Sequence, residues 1–135
     1  METTLYKVVW VKDNKYTSIC TSHKYVLTYT FGEKTFPLIG KIFGFLDIDY
    51  LKLYLHRIFL NSNEVVVFEC RGELSGEMEN MLDVYASRNL NRDIPRFWSD
   101  GKEVPIDVPY EGTCLFNWVV PLRQVPFNTL NLEQK

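Results

Sequence analysis

The chain has 135 residues, 46% of them hydrophobic and 24% charged, with a formal net charge of -2. That length makes one domain able to bury a core without staples, and the charge imbalance is too small for an intrinsically disordered chain. No run approaches the roughly 18 apolar residues needed to cross a bilayer, and a sequence pI of 5.7 excludes the basic footprint of a nucleic-acid-binding domain.

Residues 5 to 12 alternate and are rich in β-branched and aromatic side chains, Asp13-Asn14 is a turn pair, and residues 16 to 21 resume the β pattern, so a hairpin is expected. A third strand is predicted over residues 24 to 31. Gly32, Pro37, Gly40 and Gly44 then punctuate a loop that feeds a short buried strand within residues 38 to 46. The clearest helix covers residues 48 to 60, with Asp47 or Asp49 as N-cap and Ile48, Leu51, Leu55, Ile58 and Phe59 as its apolar stripe. Asn61-Ser62-Asn63 ends it. Residues 64 to 71 form the strongest strand signal, apolar enough for a central position.

Met78, Met81, Leu82 and Tyr85 fall at helical spacing, which predicts a second helix over residues 77 to 87. Residues 88 to 98 read as a polar, arginine-bearing connection, and Pro105 and Pro109 space a short extended piece. A final strand is expected over residues 113 to 120, stopped by Pro121. The fold class is therefore α+β: an antiparallel or mixed sheet of five to six strands with two helices packed on one side. Residues 1–125 form a single globular domain, and 126–135 form a polar C-terminal tail.

Cys20, Cys70 and Cys114 are odd in number, widely separated and set in apolar stretches, as buried thiols of a reducing compartment are. With only His23 and His56 and no Cys-x-x-Cys, neither a metal nor another cofactor is expected. METTLYKVVW carries neither a basic leader nor a small-residue cleavage site, so the expected location is the cytoplasm.

The near-neutral total hides an asymmetry. Residues 1 to 60 carry eight Lys or Arg against five Asp or Glu, seven of the eight being lysine, whereas residues 61 to 135 carry seven against twelve, five of the seven being arginine. Arginine's planar fork suits phosphate or carboxylate recognition better than lysine's solvated point charge. Arg88, Arg92 and Arg96 recur every four residues beside Phe97 and Trp98, with Asn89 and Asn91 between them. Guanidinium groups for phosphates, rings for stacking and amides for base edges together describe a nucleotide site. The same segment also reads as a solvated helix end, with Arg92 paired to Asp93 or Glu79 and Trp98 in the core. Gly40-Lys41 is a second candidate phosphate contact, although neither the Walker nor the Rossmann spacing is present. Glu69, Arg71 and Glu73 project to one strand face, a charged row read as a sheet surface before a catalytic pair. Neither a Ser-His-Asp nor a Cys-His arrangement is legible, so no enzymatic activity is expected.

Tyr6-Lys7-Val8-Val9, followed by Tyr29-x-x-Gly32-x-x-Thr35-x-Pro37-x-x-Gly40-Lys41-x-Phe43-x-Phe45 and an amphipathic helix, resembles small uncharacterised bacteriophage proteins over residues 6 to 58. The order of hairpin, glycine-punctuated strand, helix and strand is also similar to ADP-ribosyltransferase-like folds that have lost their catalytic residues. The resemblance implies a phage anti-defence protein, often oligomeric, that sequesters a cyclic-nucleotide or ADP-ribose-like immune signal. Two alternatives stand beside it: an inhibitor that docks on a host protein through exposed aromatic side chains, and an ADP-ribosyltransferase-like enzyme or its degenerate relative.

Overall fold

A computed structural model of the protein describes residues 2–18, 23–58 and 65–130. Strand β1 (Glu2–Lys12) turns through Asp13 and Asn14 into β2 (Lys15–Thr17). Both turn residues take positive φ, 53° and 62°, as a two-residue type I′ hairpin requires. The third strand is shorter than expected. His23–Tyr25 forms a 3-10 turn and only Thr28–Tyr29 pair as β3; at the next position in register the Ser18 amide donates to the Leu27 carbonyl, but the Leu27 amide donates to Ser18 Oγ instead of a backbone carbonyl, and the ladder ends there.

Strand β4 (Ile42–Phe45) precedes helix α1 (Ile48–Ile58). The Asp47 carboxylate accepts the Asp49 amide at 2.8 Å and starts the helix. The expected stop at residues 61 to 63, like Phe59 and Cys20, lies outside the described residues. Strand β5 (Val65–Glu77) runs six residues beyond the predicted end at Arg71.

The helix predicted over residues 77 to 87 is absent. Met81–Leu82 instead form β6, paired with β7 (Ile106–Asp107), and Asp83 Oδ1 accepts the amides of Tyr85 and Ala86 in a side-chain-closed turn. The second helix lies one segment later, as α2 (Leu90–Ser99), where the sequence suggested a connection. Asn89 Oδ1 caps it by accepting the Arg92 amide, and Pro95 inside it leaves only the carbonyl of exposed Asn91 without a helical donor. Strand β8 (Thr113–Val125) also passes through Pro121 instead of ending there. Cys70 pairs with Pro121 and Glu69 with Arg123, so Leu122 is an extra residue in a bulge that accommodates the missing amide.

Among the described residues the result is α+β, a six-stranded antiparallel sheet plus the β6–β7 pair and two α-helices. The large sheet curls on itself. β1 pairs with β5, β5 with β8, β8 with β4, and β4 returns to β1 through the single pair Tyr6↔Phe45, closing a four-strand ring. Leu5, Val9, Ile42, Phe68, Cys70, Phe116 and Val119 fill its interior. Val8, Phe45, Val65 and Val67 face outward and are covered by Leu51, Tyr54 and Leu55 of α1. The expected tail folds back in part: Phe127 packs on this outer core and Leu130 is buried, while residues 131–135 are outside the described set. Among the described residues no helix is long and apolar enough to cross a membrane.

A candidate ligand cleft

Alternation along β1 places Leu5, Lys7 and Val9 on the inner face of the ring, opposite Cys70, Phe68 and Val66. Lys7 is therefore a cation in an apolar row, 5% exposed. Its place is set by the way the ring closes. β1 and β4 pair only at Tyr6↔Phe45 and part above it, and Lys7 Nζ reaches across the gap to donate to the Phe43 carbonyl at 2.7 Å. The ammonium also sits 4.9 Å from the Phe43 ring centroid and 5.8 Å from that of Tyr29, a favourable cation–π environment.

Over this seam lies the excursion of residues 78–112 that carries β6, α2 and β7 between β5 and β8. The space between seam and excursion is a cleft of about 230 Å³. Its walls are mostly apolar and aromatic: Tyr29 and Phe43 on the ring side, Tyr54 from α1, Met81 from β6, and Ile94, Phe97 and Trp98 from α2. Phe97 and Trp98 stand nearly perpendicular, 81° apart with centroids at 5.0 Å, so they offer a corner of one ring face and one ring edge. Gly40 seats the indole, for a Cβ there would lie 2.0 Å from Trp98 Cδ2. Lys41 lines the cleft and donates to Asn117 Oδ1, whose amide donates to Glu73 Oε1 at 2.9 Å.

Of the eight expected site residues, Lys41, Phe97 and Trp98 line this cleft, and the other five do not. Asn89 is the helix cap. Arg92 Nε pairs with Asp93 Oδ1 at 2.9 Å, and Arg96 with Glu103 at 3.2 Å. Arg88 and Asn91 are exposed. The three arginines thus do not converge on the ring corner; Arg92 takes the structural role that the spacing also allowed. Asp93, 1% exposed, accepts from the Ser87 hydroxyl at 2.6 Å as well, and that bond, followed by the Arg92 guanidinium, holds its carboxyl below the usual carboxylate range. The charged row is engaged across strands: Glu69 with Arg123, Arg71 with Glu2 and Glu73 with Asn117. His56 is exposed on α1.

No protein-family model, curated protein or solved structure matches the chain. Function must therefore be argued from the cleft. Cys70 lies in the interior of the ring and is 1% exposed. Burial pushes that thiol up to about 12, only partly opposed by the Lys7 ammonium and reinforced by Glu69, and burial likewise raises Tyr29 and Cys114. Below pH 9 the Cys70 thiol is protonated whether the chain is folded or not. Above the unfolded value of 9.0 the unfolded chain releases its proton first, so stability falls by about 1.4 kcal/mol per pH unit from this group until the folded thiol titrates. Urea midpoints measured from pH 8 to 11 should show that fall. The Cys70→Ala protein should be less stable at pH 8 but lose less on going to pH 11; an unchanged slope would remove Cys70 from the account.

Proposed function

We propose that this protein is a non-catalytic binder of a nucleotide-derived ligand, which it sequesters by burying the heterocycle in the cleft. The aromatic corner of Phe97 and Trp98, half-buried on the wall of an apolar cleft with Lys41 beside it, carries the reading. Stacking a base on an aromatic ring contributes about 1–3 kcal/mol, and removing it from water in an apolar cleft adds to that. The cleft's volume of about 230 Å³ is below the roughly 300–1,000 Å³ usual for drug-sized ligands, which favours one heterocycle with a short polar extension over an enclosed dinucleotide. The anionic contact moves from the arginines to the lysine side of the cleft, because Arg92 and Arg96 are held by Asp93 and Glu103.

Calorimetric titration with AMP, cyclic AMP and ADP-ribose tests the reading. At least one should bind, and Phe97→Ala should weaken it tenfold or more, whereas Arg88→Ala and Arg96→Ala should stay within twofold of the parent protein. Absence of binding by all three nucleotides, or equal loss in the arginine variants, would sink it. Phe36, 59% exposed on the loop before β4 and outside the cleft lining, favours protein docking as the second reading, and the Phe97→Ala result separates the two because Phe36 lies on a different segment from the aromatic corner.

A further inference from the structure

Lys41, Asn117 and Glu73, all half-buried, form a polar row across the ring from β4 through β8 to β5. Ile42 of β4 pairs with Phe116 of β8, so the next position in that register sets Lys41 opposite Asn117. Phe116 fills the ring interior, and strand alternation turns its neighbour Asn117 to the other face. Beyond β8, Glu73 falls at the β5 irregularity between Gly72 and Leu74. The Lys41 ammonium donates to Asn117 Oδ1, and Asn117 Nδ2 donates to Glu73 Oε1 at 2.9 Å. These two partners fix how the amide lies, because the reverse orientation would face its donors to an ammonium and its oxygen to a carboxylate. Among the described residues no carboxylate makes an ion pair with Lys41, and the neutral amide stands between it and Glu73. Lys41 also lines the cleft, next in the chain to the Gly40 seat of Trp98, whereas Asn117 does not line it. The ammonium is thus held at the margin of the cleft, beside the aromatic corner.

From this row we infer that Lys41 reads the ligand's charge with Asn117 as its positioning residue, and that the ligand is a heterocycle carrying one phosphate or carboxylate, which lies at the cleft margin. The inference rests on the cleft being a ligand site, as proposed above, and names the charge that the site selects and the side chains that select it. Asn117 occupies one of the three ammonium protons and leaves the others for anionic oxygens. A half-buried cation attracts an anion more strongly than a fully solvated one does. A carboxylate in place of the amide would neutralise the ammonium directly, so the amide is what fixes the lysine without cancelling its charge. Glu73 anchors the amide from the far side. Its negative charge, one side chain removed, still opposes an incoming anion, and the row therefore offers substitutions of opposite effect.

Two matched pairs of probes test this: adenosine against AMP for a phosphate, and indole against indole-3-acetate for a carboxylate. In the parent protein the anionic member of at least one pair should bind tenfold or more tightly. Lys41→Met, which removes the charge, and Asn117→Asp, which neutralises it in place, should each reduce that preference to within threefold. Glu73→Gln, whose side-chain oxygen still accepts from Asn117, should instead tighten the anionic member twofold or more. A row with a merely structural role would move both members of a pair alike. Should a variant fail to fold, carbon-13 NMR of lysine side chains in the parent protein gives a second readout, in which the Lys41 resonance moves with the anionic probe and not with its neutral partner. Equal affinity within both pairs, a preference that survives Lys41→Met or Asn117→Asp, weaker anion binding in Glu73→Gln, an unmoved Lys41 resonance, or no binding by any of the four probes would overturn the inference. If adenosine and AMP bind equally and indole-3-acetate binds no better than indole, this assignment fails and the nucleotide reading stands. If only indole-3-acetate binds, with a Lys41-dependent preference, the nucleotide reading fails and this one stands.

Discussion

Replacing Gly40 with alanine is expected to eject Trp98 from its seat, to cost on the order of 3 kcal/mol of stability and to abolish the aromatic corner of the cleft. Two effects combine. Gly40 has φ of +64°, where a Cβ costs about 1–2 kcal/mol. The new methyl would also lie 2.0, 2.3 and 2.5 Å from three indole carbons of Trp98, distances that no side-chain adjustment short of moving the ring relieves. Gly32 separates the two effects, because it has φ of +81° and nothing within 4 Å of a Cβ. Gly32→Ala should therefore lose only the conformational part, with unchanged tryptophan emission, whereas Gly40→Ala should lower the melting temperature further and shift the emission of Trp98 towards that of a solvated indole. If the two variants melt together with the same emission, the indole is not seated on Gly40 and the cleft wall is wrongly drawn.

The elements that could be read from the sequence are those whose local pattern and tertiary setting agree. The Asp13-Asn14 pair takes the positive φ values of its hairpin turn, and the stripe through Ile48, Leu51 and Leu55 belongs to α1, packed on the outer core of the ring. The misplaced second helix shows where they disagree. Met78, Met81, Leu82 and Tyr85 have helical spacing, yet β5 continues to Glu77 and Asp83 closes a turn with its own carboxylate. Residues 90–99 are helical in spite of Pro95, since Asn89 supplies the cap and the proline costs one bond on an exposed side.

The same contrast holds at the cleft. Phe97 and Trp98 were visible as an aromatic pair, and Lys41 as a cation between glycines, because each stands out from its neighbours in the chain. The arginine periodicity was equally visible and led elsewhere, as spacing reports a shared helix face and says nothing of the carboxylates that meet it from Asp93 and Glu103. Lys7 did leave a mark: within Leu5-Tyr6-Lys7-Val8-Val9 it occupies the parity of Leu5 and Val9, a charge on the apolar face of a strand. That parity is informative only once the ring is known to close, for on an open sheet the same lysine would reach solvent at an edge.

The interior of the ring makes the last prediction, which concerns Leu5. This residue is 0% exposed and lies between two glycines on the strands that flank β1, with Cδ1 at 2.7 Å from a Cβ built on Gly44 of β4 and Cδ2 at 2.7 Å from one built on Gly72 of β5. Each leucine methyl occupies the space that a side chain on the neighbouring strand would need, so the three positions act as one packed unit. Leu5→Ala should cost about 3–5 kcal/mol, the transfer term plus the cavity left among rigid strands. The two glycines should then behave differently in double variants. At Gly44 the closest neighbour is the leucine methyl itself, with the Tyr6 carbonyl at 3.1 Å, so Leu5→Ala removes the principal clash and Gly44→Ala should be less damaging in that background than alone. At Gly72 a Cβ would also meet the Trp118 carbonyl oxygen at 2.8 Å, and backbone held in the β5–β8 ladder cannot yield as a side chain can. Gly72→Ala should therefore remain destabilising in the Leu5→Ala background. Urea denaturation of the three single and two double variants gives both coupling energies. Strong relief at both glycines would mean that the β8 backbone gives way as readily as a side chain, and relief at neither would place Leu5 outside the gap that closes the ring.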